Sequence, residues 1–181
     1  MEPEIEMQTD TTPALEAAPI AIPEEQFLRI YLGDVPLLLP MTNLVEIMKL
    51  PIGQVVPMFQ MPPWVIGIHN CRGDMLWVAD LGHFLGQPPW YERNNLATQH
   101  SVVVVQTTLA AETPSPLGLV VTAVDGMVTY PLEALHPVDA PEAIAPALVP
   151  YIQHLCRPGP GAALPVLDAM ALLSALARSD D

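Results

Sequence analysis

The sequence of 181 residues is poor in basic side chains. Six Lys and Arg stand against 20 Asp and Glu, which gives a formal net charge of −14 at pH 7. Binding to nucleic acid depends on Lys and Arg that neutralise phosphates, and attraction to anionic lipid depends on the same residues. The composition therefore argues against a nucleic-acid-binding protein and against one recruited by membrane charge.

Cysteine and long apolar runs are also scarce. Two cysteines, Cys71 and Cys156, are too few for a disulfide framework. No apolar run reaches the roughly 20 residues that a membrane-spanning helix needs. The first ten residues, MEPEIEMQTD, lack the basic start of a secretory signal. We expect a cytoplasmic protein with reduced thiols and no direct membrane insertion.

The motifs of nucleotide binding and of serine catalysis are missing as well. Neither GxxxxGK[ST] nor GxGxxG occurs, and none of the four serines lies in a nucleophile elbow. Asp74 and Asp80 are the candidates for an acid–base pair, but charged residues at the two ends of a strand are ordinary turn markers. The sequence therefore predicts a protein that is not an enzyme and carries no cofactor.

Residues 1–26 differ in composition from the rest of the chain. They contain seven acidic residues, four prolines, no basic residue and no aromatic residue. Such a segment cannot bury enough apolar surface to offset the conformational entropy lost on folding. The sequence predicts a disordered acidic tail at residues 1–26 and one folded domain over residues 27–178.

Short apolar segments recur between turn-forming residues from Phe27 onward, among them FLRIYL, WVIGIH, SVVVVQ and GLVVTAV. Each has the length of a strand, and their regular succession favours a barrel or sandwich. Helices are expected to be few: NLVEIM is a candidate for a turn or short helix, and DLGHFLG is another, starting at Asp80 and stopped by Gly86. Asp168 is a plausible N-cap for a terminal helix in which Leu172, Leu173 and Leu176 repeat at helical spacing.

Two His-x-Cys pairs, His69 with Cys71 and His154 with Cys156, are candidates for a metal site. Residues i and i+2 of a strand share one face, so two such strands side by side would offer a two-His, two-Cys zinc site. The other interpretation is that the pairs are unrelated and the thiols behave as small apolar side chains. The sequence favours the second interpretation and leaves a metal- or ligand-binding regulatory protein as the alternative function.

The segment VPMFQMPPWVIGIHNCRGDMLWVADLGHFLG carries a family pattern. A proline precedes an aromatic residue at Pro63-Trp64, a G-x-x-N-x-R-G sequence spans Gly67–Gly73, and an apolar strand ends in Asp80-Leu81. The segment resembles the signature of CheW-like domains, the adaptors of bacterial chemotaxis-type signalling. It departs from the family pattern at Cys71, where leucine is usual, and at Gly82, where arginine often follows the D-L pair.

Three further segments fit the same family in the same order. FLRIYLGDVPLLLPMTNLVEIMKLP resembles its opening hairpin and a helical turn with a V-x-E-I type motif, here Leu44–Ile47. GLVVTAVDGMVTYPLEALHP resembles a later strand, with Thr122 where aspartate is common, and VLDAMALLSAL resembles the closing strand and helix. The resemblance covers residues 27–178.

This resemblance implies a fold and a function. The fold would be mostly β: two SH3-like five-stranded β-barrel subdomains that share a hydrophobic core, with a few short helices and a C-terminal helix. The function would be that of a non-catalytic adaptor coupling a methyl-accepting receptor signalling domain to a CheA-type histidine kinase. The pathway would be chemotaxis-like and would control swimming, pilus motility or phototaxis.

The same resemblance implies a set of partner-binding residues. Leu44 and Glu46 correspond to the kinase-facing surface, and Asn70, Arg72 and Gly73 lie on a hairpin close to both partners. Asn and Gly are turn-forming residue types, so we expect them to shape the turn that projects Arg72. The planar guanidinium of Arg72 can pair bidentately with a carboxylate, which suits protein recognition.

Overall fold

Two β-sheets form the body of the protein, whose computed structural model describes residues 22–93, 98–106, 116–139 and 141–178. In chain order the strands of this part are β1 (Glu24–Leu32), β2 (Val35–Pro40), β3 (Leu44–Leu50), β4 (Val65–Cys71), β5 (Asp74–Asp80), β6 (His100–Val105), β7 (Leu117–Val121), β8 (Ala123–Pro131), β9 (Leu135–His136), β10 (Ile152–Cys156) and β11 (Leu164–Leu167). The α-helices are α1 (Leu81–Phe84) and α2 (Ala169–Arg178), and single 3₁₀ turns lie at Met41–Asn43, Ile52–Gln54, Leu132–Ala134, Pro141–Ala143 and Val149–Tyr151.

The strands divide into a six-stranded sheet, β8-β1-β2-β11-β10-β9, and a five-stranded sheet, β3-β6-β7-β5-β4. The predicted mostly β fold, with few short helices and a C-terminal helix, is confirmed. The first sheet has one strand more than the five predicted, because the short strand β9 pairs Leu135 with Cys156 and His136 with Leu155. Within the described ranges, neither sheet is closed by a ladder between its first and last strands.

Burial on both faces explains why the central strands read as continuous apolar runs. All six residues of β6 are buried. Because successive strand side chains point to opposite faces, Val102 and Val104 pack into one apolar cluster while Val103 and Val105 pack into another. The run SVVVV is therefore a strand with a core on each side.

Three apolar clusters result from this arrangement. The largest lies between the two sheets and is capped by α2, and it includes Leu28, Ile30, Leu37, Leu39, Val103, Val105, Leu119, Val121, Leu172, Leu173 and Leu176. A second lines the five-stranded sheet, with Leu50, Val55, Leu76, Val78, Val102, Val104 and Val120. The third lines the six-stranded sheet, with Phe27, Leu38, Ala134, Cys156 and Val166. One shared core with a smaller core inside each sheet is the arrangement expected for two joined barrel-like subdomains.

Helix α2 forms as the sequence pattern predicts. The side-chain oxygen Oδ1 of Asp168 accepts a hydrogen bond from the backbone N–H of Ala171 at 2.9 Å, which is N-capping geometry. Leu172, Leu173 and Leu176 are buried against the shared core. Neither this helix nor any other in the described residues combines the length and apolar character required to cross a membrane.

Strand β1 begins at Glu24, three residues before the predicted start of the folded domain. Glu24, Glu25 and Gln26 pair in register with Pro131, Tyr130 and Thr129 of β8, and the N–H of Leu132 donates to the carbonyl of Pro23 at 2.9 Å. Backbone pairing requires no apolar side chain, which is why composition places the boundary too late. Residues 1–21 of the predicted tail lie outside the described residues.

Two truncations test where the fold begins. A chain starting at Phe27 lacks three residue pairs of the β1–β8 ladder that a chain starting at Ile22 retains. Each lost backbone hydrogen bond removes about 0.5–1.5 kcal/mol, and 1 kcal/mol shifts Tm by roughly 2–4 °C at this size. Differential scanning calorimetry should show a lower Tm for the shorter chain by roughly 2–8 °C. Equal Tm values would contradict a stabilising role for Glu24–Gln26.

Candidate functional site

The β4–β5 hairpin turns through two residues that both have positive φ angles. Cys71 pairs with Asp74 across the hairpin, and between them Arg72 has φ 54° and Gly73 has φ 98°. A two-residue loop with both central residues in the left-handed region matches the twist of antiparallel strands. Oδ1 of Asn70 accepts a hydrogen bond from the N–H of Gly73 at 3.0 Å. Asn70 and Gly73 therefore shape the turn at whose tip Arg72 lies.

Arg72 occupies a backbone conformation that its residue type disfavours. The left-handed region costs a residue with a Cβ roughly 1–2 kcal/mol, and glycine or asparagine would fill it more readily. The side chain of Arg72 is nevertheless 84% exposed, so packing does not explain its presence. Its one ion-pair partner among the described residues is Glu46, with Nη2 to Oε2 at 3.4 Å. An exposed side chain held in a strained turn points to recognition rather than stability.

Glu46 links the hairpin to β3, at the opposite edge of the five-stranded sheet. Its Oε2 accepts from Arg72, and its Oε1 accepts from the thiol of Cys71 at 3.5 Å. Strands β3 and β4 are the first and last strands of this sheet. Since their side chains touch, the sheet curls until its two edges meet, although no backbone ladder joins them. The partly open barrel thus brings the predicted residues Glu46, Asn70, Arg72 and Gly73 to one end.

The environment of Cys71 keeps its thiol protonated. Burial, followed by the hydrogen bond to Glu46, raises the pKa of Cys71 above its ordinary value. Cys71 also packs against the apolar cluster of the five-stranded sheet. A protonated thiol is a hydrogen-bond donor and a poor nucleophile, so Cys71 acts here as a structural link to Glu46.

The sequence segment Leu44–Leu50 is a strand, and the predicted helical turn is wrong. The 3₁₀ turn lies immediately before it, at Met41–Asn43. Exposure alternates along β3: Leu44 and Glu46 are half-buried, while Val45 and Ile47 have 50% and 44% of their surface exposed. A register shift between Leu44 and Glu46 places them opposite Val105 and Val104 of β6, so Leu44 lies on the side of the shared core and Glu46 on the side of the five-stranded sheet's own core.

Leu44 is therefore half-buried and packs against the core shared by the two sheets. The exposed apolar residues of this surface are its neighbours Val45 and Ile47, which the sequence analysis missed. If LVEIMK is taken as a strand, every second residue is expected to be exposed, and this pattern would have identified Val45 and Ile47.

A partly exposed apolar row crosses one face of the hairpin. Val56 forms a bridge with Ile68 of β4, and Ile68 pairs with Trp77 of β5, so their side chains lie on one face. Val56 is largely exposed, and so is Met75, which pairs with Asn70 next to the turn. Apolar surface beside a projecting arginine is a typical composition for a protein-binding site.

The two His-x-Cys pairs do not come together. His69 and Cys71 lie on β4 of the five-stranded sheet, whereas His154 and Cys156 lie on β10 of the six-stranded sheet. Among the residues that the structure describes, no group of three or more His, Cys, Asp or Glu is placed to hold a metal ion. The side-by-side strands that the zinc hypothesis required are absent, and Cys156 is fully buried in an apolar cluster.

The sequence profile of the CheW-like domain matches residues 26–177, and the chain therefore belongs to the CheW-like domain family. The fold is similar to that of the scaffolding protein TtCheW from Thermoanaerobacter tengcongensis, with a TM-score of 0.63. That structure shares 15% sequence identity with this chain, and the match covers 79% of this chain and 88% of TtCheW. No curated protein matches the sequence. The family resemblance seen in the sequence is confirmed.

Serine substitutions distinguish two structural thiols from two metal ligands. Cys156→Ser places a hydroxyl in an apolar cluster without a partner and should cost about 1–3 kcal/mol of unfolding free energy. Cys71→Ser keeps a donor beside Glu46 and should cost less than about 1 kcal/mol. Urea denaturation with and without a chelator measures both. Equal, chelator-sensitive losses would instead support a shared metal.

Proposed function

We propose that the protein is a non-catalytic adaptor that couples a chemoreceptor-type signalling domain to a CheA-type histidine kinase. The pathway is chemotaxis-like and serves swimming, pilus motility or phototaxis. Membership of the CheW-like domain family supports this role. The single observation that carries it is Arg72, an exposed arginine held in a left-handed turn beside an apolar row.

The partner-binding surface comprises two adjoining regions of the five-stranded sheet. The first is the hairpin, on which Asn70 and Gly73 present Arg72. The second is β3, whose Glu46 contacts Arg72 and whose side chains Val45 and Ile47 are exposed. We assign the kinase to the β3 surface around Leu44 and Glu46 and the receptor to the hairpin side. Because Glu46 touches both regions, binding at one can influence the other.

Arg72 is the first residue to test. Arg72→Ala removes the guanidinium and should abolish receptor-dependent control of the kinase, a loss of tenfold or more. Arg72→Lys retains charge without the planar fork and should recover only part of the control. Arg72→Asn suits the left-handed turn, so its Tm should equal or exceed that of the wild type. The measurement is kinase activity in a reconstituted complex of receptor, cognate kinase and adaptor.

Arg157→Ala is the matched control for this experiment. Arg157 is also an arginine with an ion-pair partner, Asp139, but it is half-buried and follows β10 in the other sheet. Its loss should leave kinase control unchanged. Full control in a folded Arg72→Asn variant would sink the proposed role of Arg72. A loss of control in Arg157→Ala as large as that in Arg72→Asn would instead show a general effect of lowering positive charge.

The β3 surface is tested by a pair of neighbouring substitutions. Ile47→Asp alters an exposed outward-facing side chain and should weaken kinase binding at least tenfold, about 1.4 kcal/mol, with Tm almost unchanged. Leu44→Asp buries a charge beside the shared core and should lower Tm strongly. Isothermal titration calorimetry against the kinase, with calorimetric Tm values, measures both effects. Normal kinase affinity in Ile47→Asp would remove β3 from the interface.

A further inference from the structure

The segment Gly86–Arg93, here called the strap, is held to the five-stranded sheet by a single buried carboxylate. Asp80, the last residue of β5, is buried, and its Oδ2 accepts the backbone N–H of Trp90 at 2.7 Å. Its Oδ1 accepts the backbone N–H of His83 at 3.2 Å and pairs with the guanidinium of Arg93. Two of the three partners of Asp80, Trp90 and Arg93, therefore belong to the strap.

The strap also reaches the six-stranded sheet. Nε2 of Gln87 donates to the carbonyl of Leu32, at the end of β1, at 3.2 Å. The backbone carbonyl of Gln87 lies 3.1 Å from Nδ1 of His83 in helix α1. Through Gln87 on one side and Asp80 on the other, the strap connects the ends of the two sheets beside their shared core.

His100 lies beneath the strap at the start of β6. The His100 side chain is buried, and its ring meets the ring of Trp90 edge-on, with centroids 5.4 Å apart. The charged groups that act on it are Arg93 from the strap, Asp80 from β5 and Lys49 from β3. Two cations and one carboxylate surround a ring with little access to water, so a charged imidazolium is unfavourable there.

We propose that the strap is an acid-sensitive connection between the two sheets and that protonation of His100 releases it. The fastened state is the arrangement in this structure, with Trp90 against His100 and Arg93 paired with Asp80. In that state a proton on His100 is repelled by Arg93 and has little solvent to stabilise it. When Trp90 and Arg93 move away from His100, the imidazole gains water and loses a neighbouring cation. Acid therefore favours the released state, in which the two sheets lose their connection through Asp80 and Gln87.

The direction of the pH effect follows from the pKa of His100. Burial, followed by repulsion from Arg93, lowers the pKa of His100 below its ordinary value in the fastened state. A released or unfolded state binds the proton first as pH falls below about 6.5, the ordinary value for histidine. The fastened state is therefore fully favoured above that pH and becomes progressively less favoured below it.

The test is the protection of the Trp90 amide against hydrogen exchange in the full chain, measured by NMR at several pH values and corrected for intrinsic exchange. In the wild type, protection should fall several-fold between about pH 7.5 and pH 5.5, across the ordinary titration range of histidine. His100→Phe keeps an aromatic ring against Trp90 without a titrating group, and its protection should not change with pH. His154→Gln, which removes a half-exposed histidine of β10, should behave as the wild type.

Two results would overturn the proposal. One is an unchanged pH dependence in His100→Phe, which would assign the effect to another group. The other needs no variant: in the wild type, protection of the Trp90 amide must already have fallen at the pH where the imidazole signals of His100 show that it is protonated. Protonation of His100 without loss of protection would show that the strap does not respond to it.

Discussion

The structure depends on strands that are buried on both faces. In β6 every residue is buried, with alternate valines in the shared core and in the core of the five-stranded sheet. Such a strand cannot slip by one residue without exchanging the two cores, so its register is strongly specified. Because the register of β6 is fixed, so is the pairing of its neighbours β3 and β7, and β5 and β4 complete the curled sheet.

That curl positions the candidate site. Glu46 and Arg72 lie 26 residues apart in the chain and on opposite edges of one sheet, yet their side chains meet. No local feature of either strand places them together; the cluster of Leu50, Leu76 and Val102 beneath them does so. The exposed side chain of Arg72 is thus supported by an interior that it does not enter.

Much of this could be predicted from the sequence, and the failures have physical causes. Strands β1, β4, β6 and β7, helix α2 and the turn residues Asn70 and Gly73 follow from local patterns. The exposure of Leu44 could not be judged without reading β3 as a strand, because helical and strand periods assign different faces. The contacts of Asp80 with the strap could not be predicted from the sequence, because the path of the loop that brings Trp90 and Arg93 to Asp80 is set by the folded structure.

The contact between Gly82 and Arg93 has a consequence for how this chain can change over time. A Cβ at position 82 would lie 2.5 Å from Nη1 of Arg93 and 2.8 Å from Oε1 of Gln87. The guanidinium that pairs with Asp80 therefore occupies space that any side chain at position 82 would need. A descendant that acquires a side chain at position 82 must therefore move the guanidinium of residue 93 from its place beside Asp80, which couples the choice of residue at 82 to this ion pair.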